Sequence, residues 1–94
     1  MSSQNYRVRY ERVAQKQLKK MDRFQARLLV SWIGKHLEGS DDPRAIGKGL
    51  VGNRSGEWRY RVGDYRIIAN IDDQLITILI LTIGHRKDVY EGKD

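Results

Sequence analysis

No cysteine occurs in the 94 residues, so disulfides and thiolate metal sites are excluded and a reducing, cytoplasmic setting is expected. The first residues, Met1 to Asn5, lack the apolar stretch of a secretory leader, and the one long apolar run, Leu75 to Ile83, is far too short to span a bilayer. Acidic residues are the minority charge: 12 Asp and Glu against 18 Lys and Arg leave a formal net charge of +6 and a pI of about 9.8. That balance favours polyanions, nucleic acid first. Charge alone would equally suit an acidic protein or a membrane surface. At this length one small domain, residues 1–94, is expected, large enough for a single core without staples.

The most informative stretch runs from Glu57 to Arg66 and alternates large apolar with basic residues around Gly63-Asp64, a two-residue turn candidate. Setting Val62 opposite Tyr65 puts Arg61 directly across from Arg66, and the pleat adds Arg59 to the same face. Like charges placed opposite each other on a sheet are destabilising, so folding alone disfavours the arrangement and an anion in front of it would favour it. The other face carries Trp58, Tyr60, Val62, Tyr65, Ile67 and Ala69, a candidate core. A solvated outer sheet face is the competing explanation of the arginines.

Along the chain, Tyr6 to Tyr10 alternates with period two and predicts a strand. Ala14, Leu18 and Met21 predict a helix from Glu11 to about Met21 whose basic outer faces are solvated. Asp22 and Gln25 have the spacing of a capping box, and Phe24, Leu28, Leu29, Trp32, Ile33 and Leu37 form a wide apolar stripe for a second helix to about Glu38. Gly34 suggests close packing there, and His36 is expected to have an ordinary role in the last turn. Pro43 and its polar neighbours stop the helix, and Arg44 to Gly56 is expected to be a loop. Its Gly47-Lys48-Gly49 lacks Walker spacing and a preceding strand, so no nucleotide role is assigned to it.

The hairpin's second strand, Tyr65 to Ile71, is followed by a tight turn at Asp72-Asp73 and a last strand from Leu75 to Ile83. Being apolar on both faces, that strand is expected to be central, between the second hairpin strand and the N-terminal strand, the latter joined in parallel through the helical crossover. The expected class is α+β, in the chain order βααβββ, with a helical hairpin on a mostly antiparallel four-stranded sheet.

The Glu57–Arg66 segment, together with Ile83-Gly84-His85-Arg86-Lys87-Asp88-Val89-Tyr90, resembles the RelE toxins of bacterial type II toxin–antitoxin pairs, within the RelE/ParE superfamily. The likeness implies a ribosome-dependent endoribonuclease that cleaves messenger RNA in the ribosomal A site. It also implies a RelB-like antitoxin as partner, with the complex binding its own operator DNA. The ParE branch shares the fold and inhibits DNA gyrase without nuclease activity, which is the alternative. Carried over by position, Arg59 and Arg61 stand where the best-known member has two catalytic lysines. Arg66 matches its phosphate-stabilising arginine, Arg86 the arginine after the glycine, and Tyr90 the closing tyrosine. Lys87 joins the arginines as an RNA-binding candidate. No cofactor or metal is implied. Arginine effectively never loses its proton, so the general base is sought elsewhere, and the nearby imidazole of His85 is the candidate for base or acid.

Overall fold

The computed structural model describes residues 5–85. In chain order these form β1 (Arg7–Tyr10), α1 (Arg12–Lys20), α2 (Arg23–His36), β2 (Lys48–Gly49), a short 3-10 turn (Gly52–Arg54), β3 (Trp58–Val62), β4 (Tyr65–Asp72) and β5 (Thr77–His85). The sheet order is β1-β5-β4-β3-β2, with β1 parallel to β5 and the remaining pairs antiparallel. The class is α+β, two helices packed on a sheet, with five strands where four were expected. The additional strand, β2, arises because Gly47 takes a positive φ of 85° and brings the chain against β3, so that Lys48 pairs with Arg59 and Gly49 with Trp58. Two residues are too few to carry a periodic signal, which is why the segment reads as a loop in sequence.

β5 is central, as its two apolar faces imply. Ile78, Ile80 and Ile83 are buried against Ile67, Ala69 and Ile71 of β4 on one side of the sheet, and Ala14, Leu29, Ile33 and Leu37 belong to the same core. The pairing of Ile68 with Thr82 and of Ala69 with Ile80 leaves Leu81 as the extra residue of a bulge. Beyond Ile80 the first strand has already turned into α1, and Gln17 of that helix takes over its role. The Gln17 Oε1 accepts the Ile83 N–H at 2.6 Å, and its Nε2 meets the Thr82 hydroxyl at 2.8 Å. The outer edge of β1 is closed too: Tyr6 N–H donates to Ser40 O, Gly39 N–H to Tyr6 O, and Val8 N–H to the Glu38 carboxylate at 2.8 Å. Covered in this way, the edge no longer offers a row of free backbone groups for pairing with another chain.

α2 starts at the expected cap, with the Asp22 carboxylate accepting from the Phe24 and Gln25 N–H groups. Only part of the apolar stripe reaches the sheet. Leu29, Ile33 and Leu37 are buried, whereas Phe24 and Leu28 remain 65% and 47% exposed. A helix lying on a sheet covers one flank of its cylinder, and the stripe is wider than that flank. A Cβ at Gly34 would meet no atom within 4 Å, so this glycine is not a close-packing point. The turn before β5 is also wider than expected. The Asp72 carboxylate accepts the Gln74 and Leu75 N–H groups, Ile76 takes a left-handed φ of 50°, and the strand begins at Thr77.

Candidate nucleic-acid interface

The hairpin forms in the register the turn dictates. Gly63 takes the positive φ of 62° that a two-residue connection needs, Val62 pairs with Tyr65, and Arg61 stands directly opposite Arg66. Arg59, opposite Ile68, shares their face, while Tyr60 and Ile67 point into the core on the other. The three side chains differ in access. Arg61 is exposed, Arg59 is half-buried, and Arg66 keeps only 7% of its surface, its Nη1 lying 3.4 Å from the carbonyl of Tyr65. Ile68, on the same face, is fully buried. Arg61 is therefore the most accessible cation of the group, and Arg66 contributes charge from a drier setting where Coulomb terms are less screened.

His85 does not join them. It ends β5 opposite Tyr65, and since directly opposed residues share a face, its strand position lies on the Tyr60 and Ile67 side. Its ring meets Tyr65 edge-on, with centroids 5.7 Å apart. Gly84 is the residue opposite Arg66, so the described end of β5 lies beside the arginine face even though the His85 ring does not lie on it. Arg86, Lys87 and Tyr90 lie outside the described residues.

The sequence reading missed a cavity at the outer edge of β3. Its volume is about 550 Å³, and its lining includes Trp32 and His36 from the end of α2, Ile46 and Lys48 from the chain leading into β2, and Arg59 and Arg61. The Trp32 and His36 rings stack with centroids 4.6 Å apart. His36 Nδ1 lies 3.1 Å from the Trp32 carbonyl, and because a carbonyl only accepts, this nitrogen carries the proton. The floor is pinned: the buried Tyr60 hydroxyl donates to Pro43 O at 2.6 Å, and Trp58 Nε1 donates to Ile46 O at 2.8 Å. Burial pushes the Tyr60 hydroxyl far above the ordinary tyrosine range, so it remains a donor. The i, i+4 spacing of Trp32 and His36 was the available signal, and what it lacked was the loop that encloses it.

At the far end of the sheet Asp73 accepts from the Tyr6 hydroxyl at 2.7 Å and from Arg44 at 3.0 Å. The hydrogen bond from Arg44, and then that from Tyr6, hold its carboxyl below the usual carboxylate range. This cluster ties the N-terminal strand to the loop after α2. Among the described residues no helix is long and apolar enough to cross a membrane.

The model of the family described as the ParE toxin of type II toxin–antitoxin systems matches residues 6–90. Toxin RelG of Mycobacterium tuberculosis is 33% identical over 85 residues, covering 90% of this chain and 95% of that protein. The toxin–antitoxin complex RelBE2 of the same organism superposes with a TM-score of 0.77 at 30% identity, over 87% of this chain and 92% of that one. The isolated E. coli RelE toxin shares the fold, with a TM-score of 0.68 at 19% identity over 92% of each chain.

Proposed function

Since the chain belongs to the RelE/ParE superfamily of toxins from type II toxin–antitoxin systems, we propose that it is a ribosome-dependent endoribonuclease that cuts messenger RNA in the A site and so stops translation. The observation that carries this reading is the pairing of Arg61 with Arg66, beside Arg59, on one sheet face. Such a face gains stability when an anionic strand lies on it, and planar guanidinium forks match phosphate oxygens in pairs.

In the cleavage step the 2′-oxygen bonds to the adjacent phosphorus while the bond from phosphorus to the 5′-oxygen breaks. The products are a 2′,3′-cyclic phosphate and a 5′-hydroxyl. The proton leaves the 2′-hydroxyl for an acceptor, and another is delivered to the departing 5′-oxygen. Arg61, from the open side, and Arg59 hold the charge that builds on the non-bridging oxygens, and Arg66 adds field from beneath. None of the three accepts a proton. His85, across the sheet from them, is assigned an orienting role at the end of β5 through its contact with Tyr65. The proton acceptor is then supplied by the ribosome or the RNA, a workable arrangement when positioning does most of the catalysis. Arg86 and Lys87, which follow His85 directly, are assigned to phosphate contacts and Tyr90 to stacking on a base.

A RelB-like antitoxin is the proposed partner, supported by the likeness to the RelBE2 toxin–antitoxin complex. The basic surface of this chain suits an acidic segment wrapped over it, and the complex is proposed to bind its own operator DNA. The reading places the protein in the cytoplasm, as a single domain. A second reading, a ParE-like gyrase inhibitor without nuclease activity, is favoured by one observation, the match to the ParE family model.

The deciding experiment incubates purified protein with messenger RNA, free or threaded on ribosomes with an empty A site, and maps the cuts. Cleavage only on ribosomes, lost in Arg61→Gln, is the expected result. Growth arrest by a protein that cuts nothing in either setting would turn the assignment to gyrase.

A further inference from the structure

The cavity beside β3 has the chemistry of a nucleotide site. Its Trp32–His36 stack presents π surface, the basic residues Lys48, Arg59 and Arg61 are part of its lining, and among the described residues no carboxylate lines it. Its volume of about 550 Å³ lies within the roughly 300–1,000 Å³ range of small-molecule pockets. We propose that this cavity binds one nucleotide of single-stranded RNA, a purine stacked on the Trp32–His36 pair with its phosphate held by Lys48. The proposal rests on reading the arginine face as an RNA surface, and it adds a base-binding position beside the phosphate contacts there.

The parts are organised for this task. The hydrogen bond from His36 Nδ1 to the Trp32 carbonyl fixes the imidazole plane and leaves Nε2 as the ring's remaining polar atom. Tyr60 holds the floor but has committed its hydroxyl to Pro43. Ile46, 41% exposed, supplies an apolar wall. Arg59 and Arg61 line the cavity while belonging to the arginine face, so an RNA strand crossing that face reaches the aromatic pair by passing over the β3 edge. A pocket built for an acidic peptide would need the cations and not the stacked rings.

The test is an NMR titration of the full chain labelled with nitrogen-15, which reads the Trp32 and Trp58 indole N–H groups separately, assigned with Trp32→Phe. The probes are adenosine 5′-monophosphate, inorganic phosphate and a hexaglutamate peptide. The expected result is that adenosine monophosphate moves the Trp32 resonance and phosphate alone does not. Affinity should fall about 10-fold in His36→Ala and again in Lys48→Ala, since base–aromatic stacking and one phosphate contact are each worth about that factor. The Trp58 indole, bonded to Ile46, reports whether each variant is folded. A Trp32 resonance unmoved by the nucleotide, equal responses to phosphate and nucleotide, or a response to hexaglutamate alone would each overturn the proposal. Cleavage on ribosomes by the same wild-type preparation is scored separately. Binding without cleavage keeps the nucleotide site and removes the ribonuclease reading, whereas cleavage without binding removes the site alone.

Discussion

Replacing Arg61 with Gln should make the protein more stable and inactive at once. Arg61 and Arg66 are directly opposed across the β3–β4 ladder, and among the described residues no carboxylate forms an ion pair with Arg61. Cross-strand neighbours have Cβ atoms about 5 Å apart, and longer side chains splay, so the two charges are taken as about 7 Å apart. At that separation two unit charges repel by roughly 0.6 kcal/mol at the dielectric of water and about 2.4 kcal/mol at an effective dielectric of 20. Since Arg61 is exposed, the lower part of that range applies, and Gln keeps most of the aliphatic stem. A gain of ~0.5–1 kcal/mol is expected, which for a chain of this size raises Tm by about 2–8 °C. Thermal melts by circular dichroism at low and high salt give the readout: wild type should gain more from salt than the variant, because only wild type has the repulsion to screen. Cleavage on ribosomes should drop by about 10²–10³, by analogy with the loss of one charge-stabilising donor. A variant less stable than wild type would refute the repulsion, and one that cleaves normally would refute the role of the face.

Gly47→Ala should cost more than a surface change, because its Cβ would lie 2.5 Å from the Arg59 carbonyl oxygen at a φ of 85°, and a backbone atom in a ladder does not yield. Urea unfolding should show a loss above about 1 kcal/mol, and a neutral outcome would mean that β2 can shift without cost. Tyr60→Phe strands the Pro43 carbonyl in the core and should lower stability by about 1–3 kcal/mol in the same assay, whereas an unchanged midpoint would show that water replaces the hydroxyl. Asp73 has a depressed folded pKa, so its contribution is present above the unfolded carboxylate value of about 4 and is lost as pH falls through the lower folded value. Melts from neutral to acid pH should therefore be less steep in Asp73→Asn than in wild type, and superimposable acid limbs would dismiss the coupling to Arg44 and Tyr6.

How much of this was legible in the amino-acid order depends on how locally each feature is determined. The two helices, the Asp22 cap and the arginine register follow from side-chain period, capping chemistry and a two-residue turn, all of which act over a few residues. The central place of β5 also follows, because a strand apolar on both faces has to be covered on both. The family was readable from the two motifs that carry the resemblance. Tertiary packing alone decided how far each arginine is exposed and that His85 stands across the sheet from them, since a residue's face depends on its partner strand's register and the bulge at Leu81. It likewise decided that Phe24 and Leu28 stay outside the core, because the helix flank that meets the sheet is narrower than the apolar stripe. The cavity belongs to the same class. The Trp32–His36 pair, Lys48 and Arg61 are well separated in sequence, and what brings them together is a glycine turn that closes the chain onto the edge of a strand.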